Sequence, residues 1–387
     1  MELFVKEAEM EVPLLNPMVF YPRFQHIAET VFQKVDKNGI RNFRLISKPF
    51  QEYIDDRNIL WRKIMKDEDS NEAFRSAVIN GHIKMTEFLI QKFIELGIDL
   101  NAEDEYGRTS LHLACEKGQS KIAEMLIQKS IEFKIELNGK IFGGTTVFHL
   151  ACKNGQSKIV EIFIQKSVMF KIDLNAKCVY GRTAFQYACK HVQLNEVEML
   201  IQKSTEFNID LNSKDMNGRT AFQRVCRFGH LKVVEMLIRK SIEFNVGLNS
   251  KDQRDGRTAF HWACQFGQLI IVEMLVQKFE EFKIKLNTND HYGKTAFHLA
   301  CEYGESKVIE MLIQKSEEFK IELNTKDNYG KTALQLACEN GQLKIVEMLV
   351  QKSEELKIEL NTKGQDGRAA FQLACKNGQS TIVEMLV

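Results

Sequence analysis

The chain has 387 residues, enough for two or three ordinary domains. It carries 53 Lys and Arg against 52 Asp and Glu, a net charge of +1, with 27% charged and 44% apolar residues. This is the balance of an ordinary globular protein, and it excludes the basic surplus by which a chain holds nucleic acid or an anionic membrane as its main task.

The N-terminal tail, residues 1–16, begins MELFVKEAEMEVPLL and has neither the cationic start nor the apolar run of a secretory signal. No apolar stretch reaches the ~18 residues of a membrane span; IIVEMLV at 270–276 already contains a Glu. The expected setting is intracellular and reducing: the cytoplasm, with the nucleus left open. The only prolines are Pro13, Pro17, Pro22 and Pro49. A proline-free run from 50 to 387 suits helix, whose interior proline breaks, and sets the first part of the chain apart.

Residues 17–66 carry three short helical stripes. Ile27, Val31, Phe32 and Val35 form the first, which Asn38-Gly39 interrupts. Ile40, Phe43, Ile46 and Phe50 form the second, and Tyr53, Ile54, Leu60 and Trp61 the third. So small a unit has a marginal core and leans on a partner or a neighbouring domain. The segment resembles an F-box. Val31-Phe32 stands for the family's Ile-Phe pair, Ile46-Ser47-Lys48-Pro49-Phe50 for its Val-Cys-x-x-Trp block, and Leu60-Trp61 matches its end. The departures are Tyr21-Pro22 for Leu-Pro, placed about two residues early, and Phe50 for Trp. The resemblance implies a Skp-type adaptor as partner, joining the chain to a cullin–RING ubiquitin ligase. It implies an adaptor-binding face of Phe24, Ile27, Val31, Ile40, Leu45, Ile46 and Phe50, with Trp61 packing internally. A plain helical cap is the alternative.

Residues 67–387 are repetitive. Eight of the nine cysteines, Cys115, Cys152, Cys189, Cys226, Cys264, Cys301, Cys338 and Cys375, are spaced by 37, with a single 38 where SKDQRDGRTAF carries one extra residue. Gly lies eight residues before each of them, Glu nine after, and Gly three after in all but one copy, where Val192 stands. Each unit also has a Leu-Asn step, from Asn101 to Asn361. The unit KDNYGKTALQLACENGQLKIVEMLVQKSEELKIELN explains itself. D-x-x-G is a tight turn. Thr332 is a helix N-cap, and Gln335 completes a capping box. Gly341 stops a short helix, and an amphipathic longer helix follows.

These units resemble the ankyrin repeat: T-A-F-H-L-A-C stands against the family's T-P-L-H-x-A, followed by Gly and an I-V-E-M-L helix. The family's Pro is Ala, Ser or Val in every copy, and the period is 37 rather than about 33. The extra residues bring Phe133, Phe170, Phe207, Phe244, Phe282, Phe319 or Leu356, read as an added helical turn with its own apolar anchor. Phe74, Ala77 and Gly81 fall in register as a degenerate first repeat. The chain stops at Val387 within an apolar run, which reads as truncation, or else as an edge that a partner covers. The expected fold is all-α: an ankyrin-repeat solenoid preceded by a small three-helix F-box-like module.

The tempting chemistry has plainer explanations. Stacked helices lie about 8–10 Å apart, whereas a disulfide needs Cα separations below ~7 Å and zinc needs sulfurs ~2.3 Å from one ion. The cysteine ladder is therefore a row of small buried hydrophobes, and no metal or cofactor is expected. Cys178, in the turn slot of Asp104, Asp215, Asp290 and Asp327, is expected as an exposed free thiol. His112, His149, His261 and His298 share one slot with Gln186, Gln223, Gln335 and Gln372, so they read as caps rather than general bases. No nucleophile–base pair or phosphate loop appears, and the chain does not read as an enzyme.

Recognition remains. Stacked repeats build an extended concave surface, and its specificity lies where the copies differ. Around each cysteine the bulky departures are Tyr187, His191, Arg224, Phe228, Trp262, Phe266 and Tyr303, in four successive middle repeats. Aromatics with Arg are the composition of a protein-binding hot spot, so these are the candidate target-binding residues; idiosyncratic packing is the alternative. A second ladder, Arg108, Arg182, Arg219, Arg257, Lys294, Lys331 and Arg368, is expected to pair with turn aspartates; an acidic extended target that meets these cations is the alternative. The resemblances together imply a substrate-receptor subunit of an SCF-type (cullin–RING) ubiquitin ligase. The alternative is an ankyrin scaffold or effector with no ligase link.

Overall fold

The computed structural model describes residues 70–92 and 98–387. The tail 1–16, the three-helix module expected over 17–66 and its seven adaptor-binding residues lie outside the described residues. The chain divides into two compact units, residues 1–73 with 87–98 and residues 74–86 with 99–387. Of the first, the described residues are 70–73, 87–92 and 98, the start of helix Ser70–Ile79 and the end of helix Ile83–Gln91 among them.

The second unit holds the repeats. Among the described residues every regular element is a helix, and only an isolated antiparallel bridge joins Lys140 to Thr146. The first, inner helix of each repeat is Ser110–Lys117, Val147–Lys153, Ala184–Lys190, Ala221–Phe228, Ala259–Gln265, Ala296–Tyr303, Ala333–Glu339 and Ala370–Lys376. The outer helices are Ser120–Gln128, Ser157–Phe170, Leu194–Gln202, Leu231–Phe244, Leu269–Gln277, Ser306–Gln314, Leu343–Gln351 and Ser380–Leu386. Each inner helix packs on its own outer helix and on the inner helix of the next repeat. Phe74, Ala77 and Val78 are buried in the same unit, and Gly81 at φ +74° ends their helix as the corresponding glycines do further on.

The caps form as the sequence predicts. The Thr146 amide donates to His149 Nδ1 at 3.3 Å while Thr146 Oγ1 accepts from the His149 amide at 3.4 Å. Thr220 and Gln223 repeat the exchange at 2.8 and 3.4 Å. Ala369, alone among these caps, has no hydroxyl to offer, and only its amide bonds Gln372 Oε1, at 2.9 Å. The inner helices end in a left-handed turn supplied by the glycine three residues after the cysteine, at φ +63° to +80°. Val192 takes that role at φ +58°, where its branched Cβ is crowded against the backbone.

The four extra residues per repeat continue or follow the outer helix and close on a residue at φ +51° or +52°, such as Lys134, Lys171 and Asn208. Their phenylalanines are half-buried rather than core anchors, and at Phe133, Phe207, Phe244, Phe282 and Phe319 the Lys four residues earlier sits over the ring, as Lys203 does over Phe207 at 5.8 Å. The buried anchors are the Ile–Leu pairs just beyond, Ile135 and Leu137 or Ile209 and Leu211. The Leu-Asn step explains the arrangement. Asn175 Nδ2 donates to the carbonyl of left-handed Asn208 at 2.7 Å, and Asn175 Oδ1 accepts from the Asp210 amide at 2.8 Å. The same double bond recurs at Asn101, Asn138, Asn212, Asn249 and Asn287. Each Asn thus joins its repeat to the next through backbone groups that the added turn exposes.

Candidate binding face of the inner helices

The cap residues also span repeats. His149 Nε2 lies 2.9 Å from the Arg182 carbonyl and His261 Nε2 3.1 Å from that of Lys294. A carbonyl only accepts, so Nε2 carries the proton and Nδ1 is left to accept from the Thr amide. Gln186 and Gln223 replace this bond with a forked pair, Gln223 Nε2 reaching the Ser250 and Arg257 carbonyls at 2.7 Å each. Burial keeps these imidazoles neutral: it lowers His112 and His261 to about 4 from the usual 6.5, and lowers His149 and His298 as well. They are structural joints. The ladder cysteines from Cys115 to Cys338 are buried, and desolvation pushes their thiols far up, Cys338 to about 12. Cys375 and Phe371, in the last helix pair, are exposed where the earlier equivalents are covered by the next inner helix.

The expectation for Cys178 is corrected. Its side chain is buried, 5% exposed, and its sulfur accepts from the Tyr187 hydroxyl at 3.7 Å. The turn keeps its backbone bonds without the usual aspartate, since the Cys178 amide still reaches the Arg182 carbonyl at 3.0 Å.

The seven candidate target-binding residues separate by depth. Phe228, Phe266 and Tyr303 are exposed, at 49%, 39% and 51%. Tyr187 and His191 are half-buried and stack on each other with centroids 6.3 Å apart. Arg224 and Trp262 are buried. Arg224 forms an ion pair with Asp215 at 2.8 Å. Trp262 donates its indole N–H to Asp252 at 3.0 Å, and three guanidiniums surround its ring: Arg219 at 4.2 Å, Arg227 at 5.1 Å and Arg257 at 5.3 Å. Arg227 also lies 4.5 Å over Phe266 and 5.4 Å over Phe228. The middle repeats therefore present exposed aromatic rings on a bed of arginines built around one buried indole.

The second cation ladder pairs less uniformly than the sequence suggests. Arg108 reaches Asp104 at 2.8 Å and Glu116 at 2.9 Å. Lys294 pairs with Glu302 at 2.8 Å and Lys331 with Glu339 at 2.7 Å, each eight residues on rather than with a turn aspartate. Arg257 does meet a turn aspartate, Asp290 of the next repeat, at 3.1 Å. In the repeats of Cys152, Cys189 and Cys226 the glutamate slot, the residue after the cysteine, holds Lys153, Lys190 and Arg227, and in the last repeat it holds Lys376. Among the described residues Arg182, Lys190 and Arg227 form no ion pair, and Arg219 has only a loose contact to Asp255 at 3.8 Å. The Nε atoms of Arg182, Arg219 and Arg227 and Nε2 of His191 are buried with no hydrogen-bond partner in the chain. Burial, together with Arg182, Arg224 and Lys153 nearby, lowers the Lys190 ammonium, and burial and Arg219 lower Arg227. The sequence reading missed Lys190 and Arg227; aligning the post-cysteine slot, Glu116 and Glu302 against Lys190 and Arg227, is the signal that finds them.

Chemically the face suits recognition. Among the described residues no three His, Cys, Asp or Glu side chains come together as a metal site, and no helix is long and apolar enough to cross a membrane. A family model of ankyrin repeats (three copies) matches residues 57–139, 131–215, 206–290, 242–325, 282–363 and 319–387. No F-box or catalytic family matches, and no curated protein is similar to the chain. Ankyrin repeats are binding scaffolds, so a protein-interaction role follows. With matches that run from residue 57 to residue 387 over helix pairs stacked in register, the chain belongs to the ankyrin repeat family.

Proposed function

We propose that the chain is the substrate-receptor subunit of an SCF-type (cullin–RING) ubiquitin ligase, residues 17–66 holding a Skp-type adaptor and residues 67–387 the target. The observation that supports target capture is the exposure of Phe228, Phe266 and Tyr303 in register on successive inner helices, with half-buried Tyr187 and His191 beside them. Arg224 and Trp262 lie beneath and hold that surface in place. The observation that supports the adaptor role is the pattern Val31-Phe32, Ile46 to Phe50 and Leu60-Trp61. The second reading, a scaffold or effector with no ligase link, draws on the family match, which begins at residue 57, inside the range 17–66.

Co-purification of the full chain with a Skp-type adaptor separates the two. The wild type is expected to bind, and Val31→Asp and Phe50→Asp to abolish binding; a folded wild type that does not bind ends the ligase reading. On the repeat face, Phe228→Ala with Phe266→Ala is expected to weaken target capture about tenfold or more while the helical signal is kept.

A further inference from the structure

The flanking repeats use their cations internally: Arg108–Glu116, Lys294–Glu302 and Lys331–Glu339 are closed pairs at 2.7 to 2.9 Å. In three of the repeats between, those of Cys152, Cys189 and Cys226, the acidic member of the pair is itself a cation, Lys153, Lys190 or Arg227, and Cys178 removes the turn carboxylate beside Arg182. Like charges gathered in this way oppose folding, and buried guanidinium nitrogens without a partner are costly to the chain by itself. The first cost is relieved by an anionic ligand laid across the inner helices. The site is built for one: Arg227 is held between aromatic rings, which fixes its planar fork before binding.

We infer that the middle repeats bind an extended acidic segment of the partner protein, its Asp and Glu carboxylates taken by Arg182, Lys190, Arg219 and Arg227 and an adjacent apolar side chain by Phe228 and Phe266. This rests on the target-binding reading of the same face and names the chemistry of the target. The cationic stretch is bounded by the carboxylates of Glu116 on one side and of Glu302 and Glu339 on the other. That suits a short acidic run in a peptide and opposes a continuous phosphate backbone, whose charges would continue over those glutamates.

The test pans a displayed library of random peptides against the full-length chain. Selected peptides are then measured against wild type, Lys190→Glu with Arg227→Glu, and Phe228→Ala with Phe266→Ala. The first double variant places carboxylates in the slot that Glu116 and Glu302 occupy in their own repeats, and circular dichroism checks that it folds. Selected peptides are expected to be rich in Asp and Glu. Their affinity is expected to fall at least about tenfold in the Glu variant, with amide-substituted peptides matching that loss, and to fall with added salt. Peptides without acidic bias that the Ala variant loses and the Glu variant keeps overturn this inference and leave the target-binding face standing. Peptides sensitive to neither variant overturn both. A single-stranded oligonucleotide of equal charge that binds as tightly as the acidic peptides also overturns the inference.

Discussion

The repeats around Cys301 and Cys338 and those around Cys189 and Cys226 have the same helices, caps and hairpins, yet they use their charges in opposite ways. The first pair closes each turn cation onto a glutamate eight residues later. The second pair sets Arg182 and Arg219 opposite a cation, Lys190 or Arg227, at that position, and carries Cys178 where most turns have Asp and Val192 where every other repeat has Gly. The backbone bonds and buried Ile, Leu and Phe are the same in both, so the fold is indifferent to the change. What differs is the face. A solenoid separates these tasks because inter-repeat bonds and core positions recur at fixed slots, while the exposed positions of each inner helix are free to vary.

The largest effect should come from Trp262, the most deeply buried of the seven candidate target-binding residues. Trp262→Ala removes a buried indole, takes the donor from Asp252 Oδ2 and frees three guanidiniums; a loss of about 3–5 kcal/mol in urea unfolding is expected. Phe228→Ala, on the same face in the preceding repeat, should cost under about 1 kcal/mol. Equal costs would mean that the aromatic bed is one core rather than a surface on a support.

Next in size is a pH effect confined to the repeats whose cap slot holds His, those of Cys115, Cys152, Cys264 and Cys301. His261 sits at about 4 because burial disfavours the imidazolium, with Arg257 and Lys251 opposing the charge and Asp290 favouring it. In the unfolded chain the group titrates near 6.5. Between these values the unfolded state binds the extra proton, so stability falls as pH drops from about 6.5 towards 4, by about 3 kcal/mol for this residue. Gln fills the same slot in four repeats, so His261→Gln should keep the joint and remove that part of the slope. Urea midpoints at pH 7 and pH 4.5 for the two proteins check it, and parallel slopes would refute the assignment.

The period, the caps and the small buried cysteines were legible because each is a local pattern repeated eight times. The work of the asparagines was not. The partner of Asn175 is a carbonyl 33 residues away, presented by Asn208 in a left-handed turn that most other repeats build with Lys, a residue type that does not announce that conformation. The burial of Trp262 was equally hidden. Its partner Asp252 belongs to the hairpin lengthened by one residue, which in sequence reads only as a break in the spacing. The buried Cys178 depends on Tyr187 folding back over it, a contact between two departures from the pattern. Periodicity reveals what every repeat shares; contacts between unique residues need the third dimension.

A smaller effect isolates the strain in the middle repeats. Val192 holds a β-branched side chain at φ +58°, where every other repeat has Gly. Val192→Gly should raise stability by about 1 kcal/mol, read as a higher urea midpoint with an unchanged slope. The smallest effect bears most directly on the comparison. Lys190→Glu gives Arg182 the partner that Arg108, Lys294 and Lys331 already have. Partly exposed pairs are worth little, so the gain should be about 0.5 kcal/mol and should shrink in high salt. Its sign matters more than its size. A gain means that lysine at this slot works against folding, and the retained charge then needs a reason outside the fold. A loss would show that Lys190 already has a stabilising role within the chain, and the contrast between middle and flanking repeats would then lie in packing rather than in recognition.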